Sequence, residues 1–488
     1  MIYPSMQEAR ELAKDHSVLP VSFEMLSDVI TPIGLLKKLK EKSKECYLLE
    51  SVEGGEKWGR YSFLGFEPTL SLRARSGEVF LKNGKETIRH TDDPNGVIKK
   101  ILSEYDPPRL DSLPPFTGGF VGYFAYDYIA YNEKSLKLTQ NDPVGLFDFH
   151  LMLFDQVIVF DHLRQKLVVI INIKTDNLDK NYEAATLKIT DIAGIIASKN
   201  EIPARPARLL SDFRPLFSKE KYCEMVSRTK EHIVEGDIFQ AVISNRMEAD
   251  FEGSLLNAYR VLRTVNPSPY MFYLSMDETE IAGASPETLI SLQNGRLQTF
   301  PIAGTCPRGK TEEEDERLIA ALLEDEKELS EHNMLVDLGR NDLGRVSEFG
   351  TVKVSDYQKV MRFSHVSHIT SKVSGQLKKD LGPLDAVASL LPAGTLSGAP
   401  KIRACEIIDG LENTKRGVYG GAIGYIDFAG NMDLCIAIRM ALKKDGKVYV
   451  QAGAGIVADS VPEKEYEECI SKARAMAGAL NQSGEVES

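Results

Sequence analysis

The sequence predicts an α/β protein of the α+β kind, built as two domains or as one large composite sheet fold. Three observations carry this. The chain has 488 residues, more than a single simple core usually serves. Its first two hundred residues read as mostly strand with some helix. From about Ser218 onward, helical and strand patterns alternate.

Val157-Ile158-Val159-Phe160 and Leu167-Val168-Val169-Ile170-Ile171 are short apolar runs that predict paired, buried strands. A helical stretch follows around Tyr182–Ala197. The segment Glu201-Ile202-Pro203-Ala204-Arg205-Pro206-Ala207-Arg208 then interrupts with two prolines and little apolar content. It divides the chain into an N-terminal region (1–200), a connector (201–217) and a C-terminal region (218–488). Beyond it, helices are predicted at Lys219–Glu235, Glu313–Leu338 and Glu463–Leu480. Strands are predicted at Ile238–Ser244, Tyr270–Ser275, Leu434–Leu442 and Val448–Gln451.

With 59 basic and 71 acidic residues the net charge is −12, which argues against a nucleic-acid binder. An anionic small substrate stays open, because a site can be locally basic or can use a metal. The six cysteines are scattered without a C-x-x-C pair, so neither a zinc cage nor a disulfide framework is expected. The N-terminus does not read as a secretory signal, and no apolar run approaches a membrane span. A cytoplasmic setting with reduced thiols follows.

The pattern Glu-Lys-Glu-x-x-Glu occurs at Glu326–Glu331 and again at Glu463–Glu468. Residues three apart share a helix face, so Glu328 pairs with Glu331 and Glu465 with Glu468. Two such pairs facing each other could hold a hard divalent cation. Two solvated acidic helix faces would show the same spacing.

Arg439 stands inside the apolar run Leu434–Leu442. A buried guanidinium is costly without an anion, and Arg grips carboxylates with two parallel bonds. An internal Arg–Glu pair would also satisfy it. Gln451-Ala452-Gly453-Ala454-Gly455 and Tyr419-Gly420-Gly421-Ala422-Ile423-Gly424 place glycines where a ligand could approach the backbone. With Arg439 they suggest one wall of a carboxylate pocket. His365 or His368 could move protons near neutral pH, and the residues alone do not choose between them.

Two motifs mislead. Gly304–Thr311 fits the phosphate-loop pattern, but five acidic residues follow at Glu312–Glu316 and Pro307 removes a donor. Gly453-x-Gly455-x-x-Ala458 mimics a dinucleotide fingerprint, but its helix should start too late, near Ser460.

Longer segments carry a resemblance. They are Leu48–Ser51, Asn266–Tyr273, Pro301–Thr305, Glu331–Asp342, Pro392–Lys401 and Gln451–Gly455. In them the chain resembles the large subunits (component I) of anthranilate synthase, within the chorismate-utilising enzyme family. The resemblance spans nearly the whole chain. It implies two large antiparallel sheets facing one another with helices outside. It also implies that chorismate and ammonia are converted to anthranilate and pyruvate, the first step of tryptophan biosynthesis.

By resemblance, Glu331 and Glu468 would ligate Mg²⁺, with Glu465 behind them and Glu328 as the acid for the leaving C4 hydroxyl. Gly304, Thr305, Thr395, Gly453 and Gly455 would line the ring site. Tyr419 and Arg439 would hold the enolpyruvyl carboxylate, and His368 would serve the pyruvate-releasing step. Ser51, Pro267, Tyr270, Met271 and Phe272 would line a tryptophan feedback site.

Gln240 stands where water-using relatives carry a Lys, and Ala303 where the folate-branch aminodeoxychorismate synthases usually carry one. Both point to ammonia and anthranilate. Cys306 and Ser367 depart mildly from the family pattern. No cysteine has a nucleophile-elbow context, so a separate glutamine amidotransferase subunit (component II) would supply the ammonia.

Overall fold

The computed structural model describes residues 2–51, 59–200, 202, 207–362 and 366–486. Its described strands form two antiparallel sheets, of 14 and 12 strands. The first sheet takes Val18–Leu26, Lys166–Lys174, Gln156–Asp161, Tyr61–Phe66 and Cys46–Glu50 from the N-terminal region. It continues through Tyr270–Met276, Thr279–Ser285, Met440–Lys444, Lys447–Ile456 and Gln240–Glu252. The second runs from Ile302–Pro307 through Val366–Gln376, Arg296–Thr299, Thr288–Gln293, Met432–Ile436 and Ala422–Asp427 to Gly119–Phe124 and Phe149–Phe154. Both sheets therefore contain strands from either side of the 201–217 connector. Leu49 pairs with Phe272 in one, and Tyr123 with Ile423 in the other.

The inner faces of the two sheets pack on each other. Tyr47, Phe63, Phe272 and Leu442 come from the first sheet, and Val121, Phe154, Ile423 and Tyr425 from the second. Tyr47 meets Phe154 edge-on at 4.8 Å across the gap, and Phe63 meets Tyr425 at 6.0 Å. Helices cover the outer faces. Pro32–Lys42, Leu178–Ala197, Lys219–Val234 and Pro462–Gln482 cover the first sheet. Pro94–Leu102, Glu326–Val346 and Pro383–Leu390 cover the second. The facing-sheet architecture implied by the resemblance is borne out. It also explains why central strands such as Tyr270–Met276 read as unbroken apolar runs: both of their faces are buried.

Several predicted elements stand as expected. Val157 pairs with Ile170, as the apolar runs implied, and helices occupy Leu178–Ala197 and Lys219–Val234. Three others differ. The single helix expected at Glu313–Leu338 is two helices, Glu312–Glu324 and Glu326–Val346. Asp325 separates them in an extended conformation, and its carboxylate caps the second by accepting from the Lys327 and Glu328 amides. The strand expected at Leu434–Leu442 is also two, Met432–Ile436 and Met440–Lys444, which belong to different sheets. Apart from Arg439, which lies in the link and reaches solvent, the run is apolar because both sheets bury it, so its apolar pattern does not show that it is shared between them. Finally, Lys447–Ile456 carries Gly453 and Gly455 inside the strand, not at its end.

The interior also holds a buried ion pair. Arg416 and Glu412 are almost fully enclosed, with Nη2 and Oε1 2.6 Å apart. Arg416 also donates to the carbonyls of Leu396 (2.7 Å) and Val242 (2.6 Å), and its guanidinium sits 4.6 Å from the Tyr126 ring. Glu412 accepts from the Ser244 amide and hydroxyl. The pair thus ties together three segments that converge on the cleft described below. Among the described residues, no helix is long and apolar enough to cross a membrane. Arg416→Met is expected to cost about 3–5 kcal/mol, because it strands the Glu412 charge. Urea unfolding checks this; a loss below about 1 kcal/mol would contradict the account.

Candidate active site

The twin acidic motifs occupy two helix N-termini. Glu328 is the third residue of Glu326–Val346, and Glu465 the fourth of Pro462–Gln482, whose first position is Pro462. The partial positive charge at each start favours carboxylates there. Glu331 lies one turn on from Glu328, half-buried, while Glu326 and Glu463 are exposed and off the shared face.

The two helices look at one another across the cleft. Burial raises the pKa of Glu331, and the charges of Glu328 and of Glu468 on the opposite helix add to it. Burial likewise raises Glu465, with Glu468 adding and Lys327 of the other helix opposing. Lys472 holds Glu468 at 2.7 Å. Among the described residues, these carboxylates do not gather three at a time within 4.8 Å. The donor set still suits a hard cation: it is all carboxylate, comes from two rigid elements, and repels itself.

A bulge builds one corner of the cleft. Gly304 is the extra residue where Ile302–Pro307 pairs with Val366–Gln376, and its φ is +73°. A Cβ there would stand 3.0 Å from Ile369 Cδ1 and 3.4 Å from Glu328 Oε2. The bulge therefore brings Glu328 beside Gly304 and Thr305. His368 pairs with Thr305 across the strands, its Nδ1 2.8 Å from Thr305 Oγ1 and 3.3 Å from the Gly304 carbonyl. A carbonyl only accepts, so Nδ1 carries the hydrogen and the basic lone pair falls on Nε2. Burial lowers the His368 pKa and keeps the ring neutral. His365 lies outside the described residues.

The opposite wall comes from the sheet crossing. Arg439 sits in the link between the two strands with φ 50°. Solvent reaches it within the cleft. The surrounding protein lowers its pKa, and the Glu287 charge raises it. Thr395 donates to Glu287 Oε1 at 3.0 Å. Tyr419 is buried, with its hydroxyl where a Cβ on Gly453 would come within 3.1 Å. A Cβ on Gly455 would lie 2.5 Å from Gln240 Nε2. The two glycines thus admit side chains of this protein as well as leaving the strand open.

Two residues of the site were not singled out in the sequence. Burial pushes the Glu287 carboxyl up to about 7, against the pull of Thr395 and Arg439. Its only sequence signal is a carboxylate just before the apolar strand Thr288–Gln293. Lys472 bonds the Gly453 carbonyl at 3.2 Å and also acts on Glu287 and Glu331. Its signal was the four-residue spacing from Glu468.

A second cavity, of about 510 Å³, lies between the sheets. Ser51, Tyr270, Met271 and Phe272, which the resemblance assigns to a tryptophan site, line it; Pro267, assigned with them, is not among its lining residues. The Tyr270 hydroxyl donates to Asp433 Oδ1 at 2.9 Å, and burial pushes Asp433 up to about 6.

The phosphate-loop match is excluded by geometry. The Gly309 and Lys310 amides already donate to Asp315 (2.9 Å) and Glu314 (2.8 Å), so the chain's own carboxylates fill the anion position.

Known proteins resemble this chain over nearly its whole length. Residues 44–478 match the family of chorismate binding enzymes. The chain is 47% identical to anthranilate synthase component 1 of Acetivibrio thermocellus, covering 100% of both. It is 46% identical to that of Aquifex aeolicus, covering 98% of this chain and 97% of the relative. The crystal structure of anthranilate synthase component I from Streptococcus pneumoniae superposes with a TM-score of 0.77 at 37% identity, covering 93% of this chain and 98% of the other. The menaquinone-specific isochorismate synthase of Escherichia coli shares the fold, with a TM-score of 0.72 at 17% identity, covering 98% and 99%.

The Glu287 shift has a testable sign. A carboxyl raised from 4.5 to about 7 on folding burdens the folded state increasingly as pH rises through that window. Glu287→Gln should remove that part of the pH dependence of stability. Parallel wild-type and variant unfolding curves between pH 4.5 and 7.5 would contradict it.

Proposed function

We propose a single reaction for this chain, which belongs to the chorismate-binding enzyme family: chorismate and ammonia become anthranilate and pyruvate. Identity of 47% over the full length to a protein named anthranilate synthase component 1 supports this reading most directly. The bulge that sets Glu328 and His368 together opposite the Arg439–Thr395 wall gives it a site. The folate-branch alternative is disfavoured by Ala303, which lies on the bulged strand and has no amine to attack the ring.

Glu331 and Glu468 would hold Mg²⁺, with Glu465 behind them. When bound, the ion would supply a hard positive charge for the ring carboxylate of chorismate. Arg439 and Tyr419 hold the enolpyruvyl carboxylate, and Gly304, Thr305, Thr395, Gly453 and Gly455 border the ring. Ammonia forms a bond to C2 while the C4–oxygen bond breaks, and a proton converts the departing hydroxyl to water. Glu328 is the donor by resemblance. Glu287 is a second carboxyl on the opposite wall, held protonated up to about pH 7 by burial. His368 then takes the C2 proton at Nε2, and the enolpyruvyl group leaves as pyruvate, which makes the ring aromatic.

Gln240 has no basic atom to activate water and so favours ammonia as the nucleophile. The ammonia comes from a glutamine amidotransferase partner, component II. The cavity between the sheets binds tryptophan as feedback inhibitor, in the cytoplasm, where the free thiols would stay reduced.

Chorismate with ammonium chloride and Mg²⁺ should give anthranilate fluorescence. Glutamine alone should give none, and omission of Mg²⁺ should abolish the signal. No fluorescence from the complete mixture would sink the reading. His368→Met should accumulate aminodeoxyisochorismate, detected by chromatography. Anthranilate formed at the normal rate by that variant would remove His368 from the second step.

A further inference from the structure

The wall of the cleft that carries Thr395 has a gap behind it. A cavity of about 50 Å³ lies between the short turn Gly394–Leu396 and the helix Glu326–Val346, with Glu287, Thr395 and Asp342 among its lining residues. A gap forfeits part of the packing attraction, so contact from that side does little to hold the turn. The helix comes close at Gly394, where a Cβ would stand 2.7 Å from Leu338 Cδ1. The position of the turn therefore depends on ties at its two ends.

At the far end Arg416 holds the Leu396 carbonyl at 2.7 Å, and the Val242 amide donates to the Ser397 carbonyl at 2.8 Å. At the near end stands a second ion pair, with side chains 10% and 8% exposed. Lys401 Nζ lies 2.7 Å from Asp342 Oδ2 and also donates to the Leu390 carbonyl at 2.9 Å. Leu390 closes the helix Pro383–Leu390, from which the chain runs directly to Thr395. Asp342 lies one turn beyond Leu338 on the helix that carries Glu328 and Glu331.

A buried ion pair is a weak source of net stability. What this one supplies is a link between the two walls of the cleft, from the helix of Glu328 and Glu331 to the segment that delivers Thr395. Thr395 in turn donates to Glu287 Oε1 at 3.0 Å and opposes the burial that raises the Glu287 pKa. Arg439 and Lys472 oppose it as well, whereas Lys401 and Asp342 are not among the groups that act on Glu287. Asp342 is itself faced by Lys401, Arg345 and Asn341. Loss of the pair therefore reaches Glu287 through Thr395.

We propose that Lys401 and Asp342 are positioning residues for the reaction: their ion pair sets the Thr395 turn against the helix of Glu328 and Glu331 and so keeps the Thr395–Glu287 hydrogen bond made. When the pair is lost, the turn relaxes into the gap behind it and Thr395 leaves Glu287. The Glu287 carboxyl then keeps its proton to higher pH, because a bond that favours its charged form is gone. The proposal rests on the reading of this cleft as the active site.

The proton on Glu287 supplies a test that does not depend on turnover. Infrared spectra of the full chain are recorded across about pH 5 to 9, and the carbonyl stretch of the protonated carboxyl is followed. Each spectrum is subtracted from that of the same chain carrying Glu287→Gln, which cancels the other carboxyls. The wild-type midpoint is expected at about 7. Lys401→Met/Asp342→Asn removes the pair without stranding a charge, and its midpoint should rise by about one pH unit. Thr395→Val should give the same rise, and adding it to the paired variant should give no more. The milder Asp342→Asn keeps the Lys401 bond to Leu390 and should give a smaller rise, which carries the test if the paired variant does not fold. A wild-type midpoint in these variants, or a further rise on adding Thr395→Val, would overturn the positioning role alone. Absence of anthranilate from wild type with chorismate, ammonium and Mg²⁺ would overturn the active-site reading, and the role in catalysis with it.

Discussion

The passage of the chain from one sheet to the other between Ile436 and Met440 is the constraint on which the rest depends. Ala437 closes it by hydrogen bonding to both Gly420 and Gly421, and Arg439 completes it in a left-handed conformation. This short link sets the two sheets at packing distance at one end. It also fixes Tyr419 and Arg439 on the same wall. The aromatic contacts of the inner faces then fill the gap. Elsewhere in the core, Arg416 and Glu412 tie Leu396, Val242 and Ser244 to one ion pair. Packing and site geometry are therefore one arrangement, since the segments that join the sheets also carry the cleft.

The electrostatics follow from that geometry. Two helices point their N-terminal carboxylates into a shared cleft, where burial first, and then the nearby Glu468 charge, raise the pKa values of Glu331 and Glu465. A lone acidic helix face in water would show neither effect. Lys472 partly relieves the cluster. On the other wall, burial of Glu287 outweighs its attraction to Arg439 and leaves a carboxyl that is protonated up to about pH 7. The cleft thus holds several carboxyls that burial makes easier to protonate, together with a neutral histidine, a setting suited to acid and base chemistry in one site.

Much of this was legible beforehand. The pairing of Val157 with Ile170 follows from two adjacent apolar runs, and the helix at Lys219–Val234 from its periodicity. The twin motif announced itself by repetition. Asp325 was not legible as a boundary, because one residue inside an acidic, helix-favouring stretch has no distinctive neighbours. Glu287 and Lys472 were missed for a related reason: each owes its character to groups far away in sequence. The family resemblance filled part of that gap, because it carries spatial information that periodicity lacks.

The sequence by itself determined the class of fold, the membership of the family and the residue types available for chemistry. Those properties reside in local pattern and in long matching segments. Only the tertiary structure decided that Leu434–Leu442 divides between two sheets and that Gly304 is a bulge beside Glu328. Each is a contact between segments far apart in the chain. A run of apolar residues records that it is buried, but not which surface buries it.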